Sequence, residues 1–564
     1  MKYSTNLAII AALMIGFSCK NHETSNNIKS SDKNGGTLVL SQFTEIESFF
    51  PTSITLQNEA LIVTQIHAGL LSLNPKTLEV TPGIAKSWDT SNDGKKITFH
   101  LNNNVYFHDD KCFRGGKGPK VTSRDVKFTF EHLATQAEDN YYFASILKDR
   151  LVGVSDFYNK ATHTISGIEI IDDFTISFTL DHPSINFLLL LANPAASIIS
   201  EIAYKIYGSN LKIGAGPFKY DVSSTSKKIV LSKNENFFKK DSSGFSLPYL
   251  DTIIIKVFPS IEEGLLEFEK GTIDFIGTIP SLKVKNIVEK DIADFKLNPP
   301  TQILNREPEM VTQFYAFNTK KTPFNNLKAR QAINYAIDRQ KIVDYILQGQ
   351  ATSSATNGIT PNTFRGYNIV TIKGYDFDVI KAKKLLAEAG FPEGLGFPKV
   401  QLLVNSGNSR NSSVAVEIQK QLKQNLNINL DFELLPTNKK FELEIIGKGD
   451  IFKTGWVADY PSPESFLSIF VGRDVPNNPS KPSFPNTARY QNKLFDEYYF
   501  KGRHSINLDT AYFYFNKAEQ LLINEAPIIP LWYESSYKLI SSKVKNFPIN
   551  ALRYYDFTHT YKIK

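Results

Sequence analysis

Lys86-Ser-Trp-Asp-Thr-Ser-Asn-Asp-Gly-Lys-Lys-Ile-Thr-Phe-His-Leu101 reads as a β-hairpin. Asp93-Gly94 supplies the turn, and Ile97, Phe99 and Leu101 alternate, so one face of the second strand is apolar. The Asp89, Ser91, Asp93, Gly94 spacing imitates only the first half of a calcium loop, because its twelfth position is His100 where a bidentate Glu is required. The hairpin is therefore structural, and its period-two pattern sets the terms for the segments on either side.

On the N-terminal side, Leu38, Val39, Leu40 and Phe43 predict a strand over 37–43, and Leu61, Ile62 and Ile66 predict a helix over 59–68. On the C-terminal side, Ile168, Ile170, Phe174, Ile176 and Phe178 keep period-two order around Asp172-Asp173. Helical spacing then dominates: Ala332, Ile333, Ala336, Ile337, Ile342 and Ile346 fall in a predicted helix over 327–347. Asp376 is placed to cap a helix over 377–389 that ends at Gly390, and a third helix over 412–426 leads into an alternating strand at Ile428–Leu434. The fold class is α/β, heavy in strand.

A chain of 564 residues exceeds what one hydrophobic core supports, so at least two lobes are expected. Hydrophobic residues at 41% and aromatics at 12% supply the material for both. The net charge of +7 comes from scattered Lys and Arg with no basic run, which argues against a nucleic-acid partner.

The first residues read as an export signal. Lys2 precedes an apolar stretch of eleven residues, Leu7 to Phe17, which is too short for a membrane-spanning helix of about 20. Gly16-Phe17-Ser18-Cys19 follows and resembles a lipobox, with Cys19 as the lipidated first residue of the mature chain. Residues 20–36 are polar and read as a flexible tether. Cys112, the only other cysteine, sits in a Gly-rich loop that lacks the spacing of a phosphate loop and reads as an incidental thiol, so no internal disulfide is expected.

Function concentrates in Gly455-Trp-Val-Ala-Asp-Tyr-Pro-Ser-Pro-Glu-Ser-Phe-Leu467. Asp459 lies between the aromatics Trp456 and Tyr460 in a segment that Pro461 and Pro463 stiffen, so the sequence predicts a loop that holds its geometry without help from a strand or helix. Two readings stand: Asp459 pairs with a Lys or Arg of the chain itself, or it waits for the cation of a ligand. Catalysis has little support, since Gly-x-Ser-x-Gly, His-Glu-x-x-His and Cys-x-x-Cys are absent from the mature chain. His108-Asp109-Asp110 reads as a turn with a satisfied histidine, so no metal site and no cofactor are expected.

Together these blocks resemble the family-5 extracellular solute-binding proteins, the dipeptide and oligopeptide receptors of ABC importers. The resemblance rests on Pro82-Gly-Ile-Ala-Lys-Ser-Trp-Asp, Thr98-Phe-His-Leu, Val105-Tyr-Phe-His-Asp and Thr122-Ser-Arg-Asp-Val-Lys-Phe, followed by Gly214-Ala-Gly-Pro-Phe, Leu247-Pro-Tyr-Leu-Asp and Gly271-Thr-Ile-Asp. Ala329-Arg-Gln-Ala, Ala336-Ile-Asp-Arg, Leu385-Leu-Ala-Glu-Ala-Gly-Phe and Ala526-Pro-Ile-Ile-Pro-Leu continue it in order. The chain departs from the pattern at Ala215, at Ser462 and in the Cys112 loop.

The resemblance implies a two-lobed periplasmic-binding-protein-like clamp of the class II, cluster C type. Lobe one would span 37–300 with an extra subdomain over 75–210, lobe two 303–528, and residues 529–564 would return to lobe one. It also implies a monomeric, non-enzymatic lipoprotein that captures di- to oligopeptides, hands them to a permease, and faces the periplasm or the outer cell surface. Asp459 would take the peptide α-ammonium, with Gly455, Trp456 and Tyr460 around it, and Lys453 or Arg410 would take a carboxylate. The alternatives are another solute on the same fold, such as a nickel chelate, haem or an oligosaccharide, or an exported hydrolase.

Overall fold

The computed structural model describes residues 30–280, 283–295, 300–407 and 409–563. The expected export signal, Cys19 and the first part of the expected tether lie outside them. β1 (Thr37–Gln42) opens the fold with Leu38 and Leu40 fully buried. β2 (Leu71–Leu73) and β3 (Val80–Pro82) form a short antiparallel pair. β4 (Ala85–Thr90) and β5 (Lys96–Leu101) are the expected hairpin, and Asp93 accepts hydrogen bonds from Ser91 Oγ and Lys95 N at its turn. β6 (Ile168–Asp172) and β7 (Thr175–Thr179) complete a four-stranded sheet in the order β4-β5-β7-β6.

The chain then returns to the sheet that β1 began. β10 (Thr252–Val257), β9 (Lys228–Lys233) and β8 (Phe218–Tyr220) follow in turn on one side of β1, and β11 (Phe275–Ile276) pairs on its other side. The long β12 (Gln302–Phe317) follows, then β13 (Ala351–Ser354), β14 (Val400–Asn405), β15 (Leu430–Leu435), β16 (Ile451–Val457) and β17 (Ile528–Ser541). Among the described residues these strands make one mixed sheet in the order β15-β14-β16-β12-β17-β11-β1-β10-β9-β8, with β13 added on β17.

β12 and β17 are antiparallel and form the middle of this sheet. At one end Gln302–Pro308 face Ser541–Ser535 of β17, and β17 also carries β11 through Phe275↔Ile540. At the other end Val311–Phe317 carry β16, while β13 joins the β17 segment Trp532–Glu534. The β12–β17 register breaks between Pro308 and Thr312, where the strand passes from one set of neighbours to the other.

Separate apolar clusters serve the two ends: Leu40, Ile62, Leu231 and Ile255 around β1, β9 and β10, and Phe317, Ile333, Leu402 and Ile418 around β12, β14 and the flanking helices. A third cluster joins Phe99, Phe130 and Phe178 of the four-stranded sheet region to Phe466, Phe515 and Leu522 of the second half. The inserted sheet thus packs on both halves of the chain.

Two helix expectations are corrected. The predicted helix over 327–347 stops at Tyr335, because Asp338 caps a new turn by accepting from Lys341 N, and Ile342–Leu347 continues as a π-turn. The helix near 377–389 runs Val379–Glu388, and its cap is Asp378, whose carboxylate accepts from Lys381 N, not Asp376.

Candidate ligand-binding site

The Gly455 segment is only partly a loop. Gly455 and Trp456 belong to β16, with Trp456 opposite Thr312 of β12, and Glu464–Leu467 is a helical turn. The expectation that the segment stands without a strand or helix is therefore corrected: the edge of β16 fixes one end and the helical turn fixes the other. Residues 458–463 between them are pinned by short polar contacts. Ala458 N donates to Met310 O at 2.9 Å, and Ser465 Oγ accepts from Asp459 N at 2.9 Å and from Trp456 Nε1 at 3.3 Å. Asn193, from the insert side, donates its Nδ2 to Asp459 O at 2.9 Å.

Two acids leave this segment, and they meet different fates. Glu464 is fully buried and takes the chain's own cations, Arg150 with Nη2 at 2.8 Å and Arg503 with Nε at 3.9 Å, while the neutral amide of Asn186 donates its Nδ2 to Oε2 at 2.7 Å. Burial pushes its carboxyl up, but the Arg150 and Arg503 charges outweigh it and leave the group below the usual range. Asp459 makes no ion pair and its carboxylate no hydrogen bond among the described residues. It is exposed at the junction of insert and second half, yet protein surrounds it closely enough that desolvation alone holds its carboxyl up at about 7. The Asp459 charge acts on two phenols, Tyr142, whose hydroxyl is pushed up by burial first and that charge second, and Tyr460, where it is a minor cause.

The remaining expected residues separate. Tyr460 is 4% exposed and packs in the core, its hydroxyl pushed well up by burial and the nearby Glu464 charge, so its side chain supports the segment from behind. Arg410 is engaged by the chain itself, with Nη1 2.5 Å from Glu534 Oε1 and the guanidinium 5.7 Å over the Trp532 ring. The carboxylate-binding role expected of Arg410 would compete with that pair. Lys453 is half-buried, and burial, helped by the Lys440 and Arg410 charges, lowers its ammonium to about 8 against the pull of Glu534 and Glu444.

Lys453 lines a cavity of about 330 Å³ together with Gly455, Trp456, Gln313, Lys440 and Phe484. A Cβ at Gly455 would stand 2.6 Å from Gln313 Oε1 of the adjacent strand, so the glycine lets the end of that side chain lie against the β16 backbone. That oxygen is buried and has no partner, which gives the cavity an unspent acceptor. Gln313 was not singled out in the sequence because nothing local marks it; only the β12–β16 register brings it opposite Gly455. The same holds for Asn193 and Tyr142. Among the described residues no group of three or more His, Cys, Asp or Glu could hold a metal ion, and no helix is long and apolar enough to cross a membrane. His108 is buried, its Nε2 3.0 Å from Gly216 O, with burial lowering its pKa to about 4.

A sheet whose two ends are joined by a shared strand pair, with a carboxylate unpaired among the described residues just beyond a strand that lines a cavity, has the organisation of a two-lobed solute-binding protein. Residues 79–478 match the model described as the middle region of the bacterial extracellular solute-binding proteins, family 5, and the chain belongs to that family. It is 28% identical to "Heme-binding protein A" of Haemophilus influenzae over 97% of each chain. It is 25% identical to the periplasmic oligopeptide-binding protein OppA of Salmonella typhimurium, over 96% of this chain and 94% of that one. Among solved structures, the periplasmic binding protein DppA of Helicobacter pylori in complex with the peptide STSA superposes with a TM-score of 0.77 at 27% identity, covering 95% of this chain and all of that one.

Proposed function

We propose that this protein captures di- to oligopeptides and delivers them to the permease of an ABC importer, with Asp459 receiving the peptide α-ammonium. The observation that carries the reading is the division of labour between the two acids. Glu464 absorbs the internal cations, so Asp459 is left as a desolvated carboxylate with no cation of its own. An incoming ammonium, charged at neutral pH with a pKa of about 8, supplies the missing partner. Lys453, a lining residue of the cavity beneath β16, is the better placed of the two cations for a carboxylate, because Arg410 is held by Glu534. Relatives that bind oligopeptides, and the peptide-bound DppA, support the same ligand class.

The register break at Pro308–Thr312 and the matching stretch of β17 would be the hinge, with ligand favouring the closed form by its differential affinity. Cys19 would carry a lipid and residues 20–36 would tether a monomer to the envelope. Free-amine peptides should raise the melting temperature and N-acetylated ones should not; equal stabilisation by both would sink the amine anchor. The similarity to Heme-binding protein A makes haemin the control ligand, and stabilisation by haemin alone would reassign the cargo.

A further inference from the structure

A second concave site lies in the first lobe. A cavity of about 640 Å³ is lined by Lys76, Lys86, Lys239, Lys240 and His559, with Asp556 its only acidic wall. None of the four lysine ammoniums makes an ion pair among the described residues. Gly83, Phe238, Lys239, Asp556 and Thr558 also line a smaller inner chamber. There His67, 2% exposed and held neutral by burial with a pKa lowered to about 3, has an Nδ1 with no hydrogen-bond partner. Lys239 makes no side-chain hydrogen bond; its ammonium stands 5.9 Å from the centre of the Phe238 ring. Four cations face one acid around this hollow, Asp556 acting on Lys239, and an added anion relieves the repulsion that remains.

The cavity also has a fixed relation to the tether. Gly35 N donates to Tyr249 O at 2.7 Å, and Lys33 lies 5.5 Å over the Tyr249 ring and 5.6 Å over the Tyr561 ring. Tyr249 in turn packs on His559, with ring centroids 6.4 Å apart, and His559 is a wall of the cavity. The last residues of the tether therefore enter the fold beside the lysines. A chain anchored through that tether would keep this side within reach of the lipid surface.

We propose that this cavity docks the headgroup of an anionic phospholipid, holding the first lobe against the membrane while the second remains free to move. The lysines take the phosphate, and Asp556 and Thr558 offer acceptors to headgroup hydroxyls. The inference rests on the anchored reading, and its test is kept separate from it. The mature chain carrying Cys19→Ser, which has no acyl group, is sedimented with vesicles of phosphatidylglycerol and phosphatidylcholine or of phosphatidylcholine alone, while the mass of the unmutated mature chain independently reports lipidation.

Binding to the anionic vesicles only is expected, weakened about fivefold by Lys239→Gln and at least about tenfold by the combined Lys76→Gln, Lys86→Gln and Lys240→Gln change. Peptide-induced stabilisation should be unchanged in both variants, which shows that they fold. Glycerol 3-phosphate should compete for the site. Parent-like vesicle binding by the variants, or none by the parent, would overturn the proposal. Binding of glycerol 3-phosphate without vesicle binding would also overturn it, in favour of a free phosphate compound.

Discussion

Arg150 Nη2 and Glu464 Oε1 lie 2.8 Å apart with side chains 4% and 0% exposed, and they join the inserted region of the first half to the segment that bears Asp459. Asn186 completes the contact by donating to Glu464 Oε2 and to Ser462 Oγ at 2.7 and 2.9 Å. Glu464→Gln would leave Arg150 buried without its charge partner, a change that typically costs about 3–5 kcal/mol. The expected outcome is a large fall in denaturant midpoint with secondary structure retained. The Glu464 carboxyl is depressed below its ordinary value, so the stability it contributes is present above the unfolded pKa and is lost as pH falls through the folded one. Acid titration of the parent should show this loss, and Glu464→Gln should flatten it.

Asp459 has the opposite sign. Its carboxyl is raised from 3.8 to about 7, so ionisation opposes folding and the penalty grows as pH rises from the unfolded value through 7. Asp459→Asn should therefore leave the unliganded protein as stable as the parent, or more stable, at pH 8. The same variant should lose peptide affinity by at least about thirtyfold, the scale of removing one partner of a desolvated charge pair. Melting temperature and calorimetric affinity, measured together, separate this outcome from that of an internal salt-bridge acid, which would lose stability.

Peptide binding should depend on pH at both ends. Below about 7 the Asp459 carboxyl holds a proton, and an arriving ammonium expels it, so affinity falls and proton release appears. Above about 8 the peptide amine itself loses its charge. Calorimetry at pH 6.5 in buffers of different ionisation enthalpy should report net release of protons on binding; buffer-independent heats would contradict the assignment.

The contrast between these two acids shows where sequence reading ends. Asp459 and Glu464 lie five residues apart in one short segment, and local sequence cannot say which one the chain neutralises. The answer is Arg150, more than 300 positions earlier, brought in by packing of the inserted sheet. Local signals served well where they were strong: the Asp93-Gly94 hairpin joins strands adjacent in sequence, and the alternation in β1 and β7 marks them as strands although β1 pairs with the distant β10. β12 gave no such pattern, because Asn305, Arg306, Glu307 and Glu309 interrupt its apolar run, and its polar residues are accommodated by partners on β17 and the C-terminal segment. Arg410 likewise looked available from its position at a helix start, and Glu534, on a distant strand, claims it.

Lys453 and Arg410 should respond differently to mutation. Lys453→Met removes an ammonium from the cavity wall and should weaken peptides with a free C-terminal carboxylate by about tenfold while sparing the corresponding amides. Arg410→Met instead strips Glu534 of its partner, so its main effect should be on the melting temperature. Affinity for a matched peptide acid and amide, measured on both variants, checks the assignment. Loss of acid selectivity in Arg410→Met alone would transfer the carboxylate role to Arg410.

Glu309 stands at the β12 register break, where the shared strand changes neighbours. It is fully buried, accepts from Arg553 Nε at 2.7 Å and Ser536 Oγ at 2.5 Å, and lies 3.7 Å from the buried ammonium of Lys538. Burial raises its carboxyl, but Arg553 and Lys538 together outweigh it and hold the group below its ordinary range. One acid thus offsets two cations where a clamp would need to bend without exposing them. Glu309→Gln would leave the buried Lys538 of β17 and the partly exposed Arg553 of the C-terminal segment facing each other without that counter-charge, a repulsion that loosens the C-terminal segment from the strand pair. The variant should be destabilised by several kcal/mol, about 3–5 by analogy with other broken buried pairs. Small-angle scattering of the unliganded variant should show a larger radius of gyration than the parent, with peptide restoring part of the difference; an unchanged radius with lowered stability would make Glu309 purely a packing residue.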